Sequence, residues 1–188
     1  MLAIALKEWA VVTELLLEGR LAILLRKGGI HESSGPGIFD LEYERFLLFP
    51  SWLHQKPAMI KEEFRDRVQT FGSEPTTLTF HGLGEAAKIW QVPSRAAFDQ
   101  LDDLHCWTKD QIDMRFGYRP DNPLYLLALR IYRLPAPHTI ANTATYGGCR
   151  SWVPLSRDDA VDDTAATPVL GNTQFNRIID RVDAAMTA

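Results

Sequence analysis

The spacing of apolar residues changes period several times along this chain, and each change marks a predicted element. Over 2–17, Leu2, Leu6, Trp9, Val12 and Leu16 recur three and four apart, which predicts a helix with one buried face. Glu18 and Gly19 end it, the glycine being free to take a left-handed cap. The short apolar run 21–25 predicts a strand that enters a tight turn at Gly28 and Gly29, where the backbone can approach a neighbour closely. After a breaker-rich loop at 31–38, Phe39, Leu41 and Tyr43 alternate with acidic residues, as on a half-exposed strand. The pattern becomes continuously apolar at 46–49, and Pro50 is expected to stop it.

Pro57 opens a predicted helix reaching to 71. Residues 76–80 are β-like in composition, and Gly82 and Gly84 are expected to break that strand. The stretch 85–91 fits helix or strand equally well. Ser94 and Thr108 are candidate N-caps for helices over 94–104 and 108–116. The chain then organises itself around 122–155. Its first half is an apolar run ending near Arg130 and Arg133, read as a buried strand. Its second half holds Gly147, Gly148, Cys149, Arg150 and Trp152, read as a loop returning into a second strand. A helix over 173–186, with Phe175, Ile178, Ile179 and Val182 inward, closes the sequence.

This order lacks regular βαβ alternation. It implies an α+β fold: a mixed, largely antiparallel sheet or small barrel flanked by helices. A chain of 188 residues can bury one sizeable core, and no composition break divides it, so a single globular domain over 1–188 is expected. The polar stretch 156–172 is expected to be a flexible segment before the last helix. The two cysteines make no disulfide framework and fit a reduced, cytoplasmic compartment. Lys7, Glu8 and Glu14 interrupt the apolar start, so no signal peptide is read there, and no run is long enough for a bilayer span.

The formal net charge of -4 argues against a uniformly basic nucleic-acid binder, but the charge is segregated. From 115 to 150 there are five Arg and one Asp, a local +4, whereas 156–183 holds six Asp and three Arg, a local -3. Arg offers a planar fork of donors suited to phosphate or carboxylate. Arg26, Lys27, Arg119, Arg130, Arg133 and Arg150 are therefore candidate anion-binding residues. Trp52, Trp107, Tyr118, Tyr146 and Trp152 are candidate stacking rings, with Trp152 the one placed in the binding set. The competing reading pairs these arginines with Glu32, Glu42, Glu44 and the Asp-rich tail.

His31, Glu42 and His54 are candidates for acid–base or metal work, although no HExxH or CxxC spacing supports a metal site. Asp40, Glu42 and Glu44 alternate as carboxylates on one strand face would, which keeps a Mg²⁺-dependent hydrolase or nuclease open. Apart from that alternative, no cofactor is expected. Cys106 beside His105, and Cys149 beside Arg150, are weak nucleophile candidates, because adjacency in sequence does not make a catalytic pair.

Six strings together resemble a bacterial and cyanobacterial family, the domain of unknown function 1802. They are ALKEWAVV (5–12), LLRKGGIHE (24–32), FLLFP (46–50), HCWT (105–108), RPDNPLYLLALRIYRL (119–134) and YGGCRSWVPL (146–155). His54 and Gln55 follow the third string. The resemblance spans about 5–175 and implies no activity. A fainter resemblance is to PUA-like barrels, which include RNA- and modified-base-binding modules. It is carried by Gly19 followed by a strand ending at Arg26. The leading functional expectation is a nucleic-acid or nucleotide-binding module with RNA, DNA or a nucleotide as partner. A metal-dependent hydrolase and a non-catalytic interaction module are the alternatives.

Overall fold

A computed structural model describes residues 1–28 and 31–187. In chain order it holds β1 (Ile4–Trp9), α1 (Ala10–Leu17), β2 (Ile23–Arg26), β3 (Arg45–Ser51), α2 (Glu62–Arg65) and β4 (Thr77–Gln91). There follow α3 (Arg95–Asp99), α4 (Lys109–Gly117), β5 (Tyr125–Ala141), β6 (Trp152–Pro154), β7 (Thr167–Pro168) and α5 (Asn172–Thr187). Among the described residues the strands form one sheet in the order β2-β5-β4-β3-β1-β6, with β7 on β5. All pairings are antiparallel except β1 with β3. This is the expected α+β class, a largely antiparallel mixed sheet flanked by helices.

The first element differs from its expectation. Residues 4–9 are a strand, and the helix begins only at Ala10. Alternate side chains explain the difference. Leu6 enters the core with α1 and β2, while Ala5 enters a second core with Leu47, Phe49, Phe80 and Val153. A strand buried on both faces loses its polar alternation, so its apolar run reads as helix or strand alike. Pairing with β3 on one side and β6 on the other decides it.

Other segments depart from their expected elements too. Residues 39–43 are loop rather than strand, because Ser33 and Ser34 hydrogen-bond Glu42 and Asp40 locally. The predicted 57–71 helix is a 3-10 turn at Pro57–Met59 and the one-turn α2. Pro50 does not stop β3, which runs to Ser51. Past Leu47 that strand has no β4 partner, and proline is tolerated on such an edge.

Gly82 and Gly84 do not break β4; they are its closest approaches. A Cβ at Gly82 would lie 2.3 Å from the Tyr132 carbonyl oxygen and 2.4 Å from Leu17 Cδ2. The ladder slips register between Phe80 and Gly82 and again between Ala86 and Lys88. Bulges bend a strand pair, and this one long pair contributes side chains to both cores. Gly82→Ala should therefore cost about 1–3 kcal/mol in urea unfolding, as overpacking does. A loss below ~0.5 kcal/mol would contradict the close approach.

The expected glycine turns and helix caps are present, whereas the helix expected over 94–104 is α3 followed by a separate 3-10 turn at Asp102–Leu104. Gly19 has φ +71 after α1. Gly28 has φ +79, with Ile38 backbone atoms within 2.9 Å of where a Cβ would sit. Gly29 lies outside the described residues. Ser94 Oγ and Thr108 Oγ1 cap α3 and α4. α5 buries Phe175 and Val182 and leaves Ile178 and Ile179 half-covered. The stretch 156–172 is tied down at Val161, bridged to Leu2, and at Thr167–Pro168 on β5. Among the described residues no helix is long and apolar enough to cross a membrane.

Candidate functional site: a cationic cleft at the parallel strand ends

The parallel strands β1 and β3 end side by side, and a cavity of about 460 Å³ opens there. Its walls come from six segments distant in sequence, the 74–76 segment with Glu74 among them. β1 contributes Lys7, Glu8 and Trp9, and the end of β3 contributes Phe49 and Ser51. Arg26 closes one side and Arg115, from the last turn of α4, reaches in from another. The 142–151 loop after β5 forms the rim, with Tyr146, Cys149 and Arg150. Four cationic side chains (Lys7, Arg26, Arg115, Arg150) face two carboxylates (Glu8, Glu74), a local net charge of +2.

The cations differ in how fully the protein uses them. Arg26 is buried, and its Nη1 donates to Glu8 Oε2 (2.9 Å) while its Nη2 donates to Ser151 Oγ (2.6 Å). Lys7 Nζ donates to the carbonyls of Tyr146 (2.8 Å) and Gly148 (3.1 Å). Burial is the main reason its pKa lies below the usual lysine range; Glu74 opposes the shift and Arg150 adds to it. An ammonium has three donors, so one remains. Arg150 donates from Nε to Gly147 O (3.2 Å) and from Nη2 to Thr145 O (2.7 Å), leaving part of its fork unused. Arg115 has no hydrogen bond or salt bridge to any described residue. Burial lowers its pKa, yet guanidinium stays charged at neutral pH.

The carboxylates are committed inward. Glu8 also accepts from the Trp9 amide (2.8 Å). Glu74 accepts from Ser51 Oγ (2.5 Å) and from the amides of Trp52 (3.1 Å) and Leu53 (3.2 Å). Trp9 is half-buried on the cavity wall and stacks on no other described ring. Phe49, by contrast, has Lys7 Nζ 4.8 Å above its ring.

Of the residues expected in the anion site, the cleft brings together Arg26 and Arg150, with His54 on its lining. The others lie elsewhere. Lys27 is buried, and its Nζ reaches the Phe116 carbonyl at 3.5 Å. Arg119 lies over Tyr118 at an exposed turn, Arg130 over the Phe175 ring (4.4 Å), and Arg133 donates to the Leu17 carbonyl. Trp152 is buried against Phe39, Tyr43 and Phe46, and its indole N–H donates to Asp40 O (2.9 Å), so it offers no open face. Trp107 is buried, and Trp52 packs on Phe71; of the expected rings Tyr146 alone lines the cleft. The Asp-rich tail does not neutralise the expected arginines. Asp163 pairs with Arg45, and Asp183 with Lys88 and Trp90.

The acid–base and metal candidates do not converge. His54 adopts a left-handed φ of +67 on the cleft wall. His31 donates its amide N–H to Cys149 O (3.1 Å), and Glu42 is exposed on Ser33. Among the described residues no group of three or more His, Cys, Asp or Glu could hold a metal ion. Cys106 is buried, which pushes its thiol up to about 12 and keeps it protonated; Cys149 is exposed on the rim.

Lys7, Trp9 and Arg115 are the residues that sequence reasoning missed. Lys7 and Trp9 sat in a segment read as helix, where their neighbours on one strand end could not be seen. Arg115 read as an ordinary cation in the last turn of a helix. The signal available was the local charge of 115–150, which includes it.

Fold and cleft together define an α+β protein with a cationic, aromatic-walled pocket at the ends of its parallel strands. The chain belongs to the family described as Domain of unknown function (DUF1802), which it matches over residues 5–181. No curated protein matches it. It is similar to the crystal structure of ASCH from Zymomonas mobilis at 12% identity and TM-score 0.47, covering 83% of this chain and 89% of that one. A serine-to-alanine mutant of ZmASCH from Zymomonas mobilis aligns at 10% identity and TM-score 0.46, with the same coverage. Likeness at this level leaves function to the chain's own residues.

Proposed function

We propose that this chain, acting as one domain, is a binding module for nucleic acid or nucleotides, with the phosphate-bearing part of the ligand in the cleft. The observation that carries this reading is Arg115: a guanidinium on the wall of a 460 Å³ pocket that makes no hydrogen bond or salt bridge to any described residue and feels Glu8 only through space. Glu8 is already paired with Arg26, so the charge of Arg115 is left without a bonded counterion and favours an anion in the concavity, where low-dielectric walls strengthen the attraction. Lys7 and Arg150 are already fixed by the loop carbonyls they hold, so their remaining donors need little further ordering on binding. The pocket size falls in the range of about 300–1,000 Å³ usual for small-ligand sites.

Binding should weaken as salt rises, because phosphate contacts release counterions. Arg115→Glu should reduce affinity for a short single-stranded RNA about tenfold or more in fluorescence anisotropy, since it puts a carboxylate where the phosphate would sit. Arg130→Glu should change it little, because Arg130 lies on Phe175 and Asn172 outside the cleft. Equal effects from the two reversals would place the ligand elsewhere.

A further inference from the structure

Resting on that reading, we infer that the cleft takes one unstacked nucleotide at a time, with its phosphate against Arg115, Arg150 and Lys7 and its base against Trp9. Three observations lead there. The first is shape: the cations stand on the walls of a concavity rather than on a ridge or flat face. A duplex presents its phosphates on a convex surface and keeps its bases stacked inside. It could reach these groups only by extruding a nucleotide from the stack, which costs the base its stacking and pairing. A free nucleotide or a single strand avoids that cost.

The second is the ring. Trp9 stands where β1 turns into α1, half-buried with part of its ring packed on the main core, lines the cleft, and stacks on no other described ring. Every nucleobase has a π face, so an indole backed by the core and lining a cationic cleft can serve as a general base platform. Its place is fixed from behind: Glu8 holds its amide, and Gln55 Oε1 accepts from the Val11 amide (3.0 Å) to close the helix start.

The third is the division of labour among the cations. Arg26 is committed to Glu8 and Ser151, and Lys7 and Arg150 keep the 145–148 carbonyls in place. Arg115 alone among them has its whole fork available, which suits bidentate contact to a phosphate. One complete fork with two partly used cations matches one phosphate group better than a continuous backbone. A groove that follows a strand would need cations spaced along its length, and Arg119, Arg130 and Arg133 are instead occupied elsewhere.

Calorimetric titration with adenosine 5′-monophosphate, adenosine, inorganic phosphate, an eight-nucleotide single strand and its blunt duplex tests the inference. Monophosphate and single strand should bind at least tenfold more tightly than the duplex, and monophosphate at least tenfold more tightly than either adenosine or phosphate alone. Arg115→Gln should erase the advantage of monophosphate over adenosine. Trp9→Leu should erase its advantage over inorganic phosphate, with folding checked by circular dichroism. Should Arg115→Gln fail to fold, Arg115→Lys keeps the charge and removes the fork, and a loss of about threefold or more supports the same contact. Duplex binding as tight as single-strand binding would overturn the single-nucleotide occupant while leaving nucleic-acid binding intact. Equal affinity for phosphate and monophosphate would overturn the base platform. No binding by any of the five would sink both this inference and the reading beneath it.

Discussion

Glu8→Ala should destabilise the fold by about 3 kcal/mol, the lower end of the ~3–5 kcal/mol typical of breaking one partner of a buried ion pair. Glu8 and Arg26 meet at 2.9 Å with side chains 4% and 9% exposed. Truncating the carboxylate leaves a guanidinium charge in the interior, where its Nε already has no hydrogen-bond partner. The same change removes the acceptor of the Trp9 amide at the strand-to-helix turn. The loss should sit near the lower bound because Arg26 borders the cleft, where water can partly solvate an orphaned charge. Glu8→Leu combined with Arg26→Met should recover much of the loss, since a buried pair is often replaceable by apolar residues of similar volume. Urea unfolding of the single and double variants measures this. A single-variant cost below ~1 kcal/mol would mean that the pair contributes little to holding β1 against β2.

Acidification should weaken the protein through His105, by about 3 kcal/mol between pH 6.5 and pH 4. The ring is stacked between Phe98 (5.0 Å between centroids) and Trp107 (5.6 Å). Its Nδ1 accepts from the Trp107 amide at 3.3 Å, so the neutral ring carries its proton on Nε2, which is buried without a hydrogen-bond partner. Burial, reinforced by Lys61, lowers its pKa from 6.5 to about 4; Asp102, with its nearer oxygen 3.8 Å away, opposes the shift too weakly to reverse it. Arg95 also lowers the value and Asp103 also raises it. Between those two pH values the unfolded chain binds a proton that the folded chain refuses. Stability from this group is therefore complete above about 6.5 and lost progressively as pH falls towards 4. At about 1.36 kcal/mol per pKa unit, that shift gives the figure stated. His105→Phe keeps an aromatic ring in the stack and cannot titrate. Its stability should lose that part of the acid slope, whatever its stability at neutral pH. Identical slopes for the two proteins between pH 6.5 and 4 would assign the acid sensitivity to carboxylates instead.

Several elements could be identified from the sequence because their signals are local. Ser94 and Thr108 cap their helices through their own side chains, and α5 shows its buried stripe within its own residues. Gly19 and Gly28 sit at positive φ, where glycine is the least costly residue. The α+β class followed from the irregular order of apolar periods, and the family from strings spread over most of the chain.

What depends on partners distant in sequence was decided only by the tertiary structure. An apolar run with both faces buried has no period to read, so 4–9 became a strand because β3 and β6 flank it. Gly82 and Gly84 read as breakers because the Tyr132 backbone and Phe46 ring that require them lie far along the chain. The cleft shows the same limit. Charge counting found a basic region, but the direction of each arginine is set by packing: Arg130 goes to Phe175, Arg133 to the end of α1, and Arg115 into the pocket. Composition thus records how much charge a segment carries. Which of those charges stay unpaired, and face the same space, is settled by the long-range contacts that close the sheet.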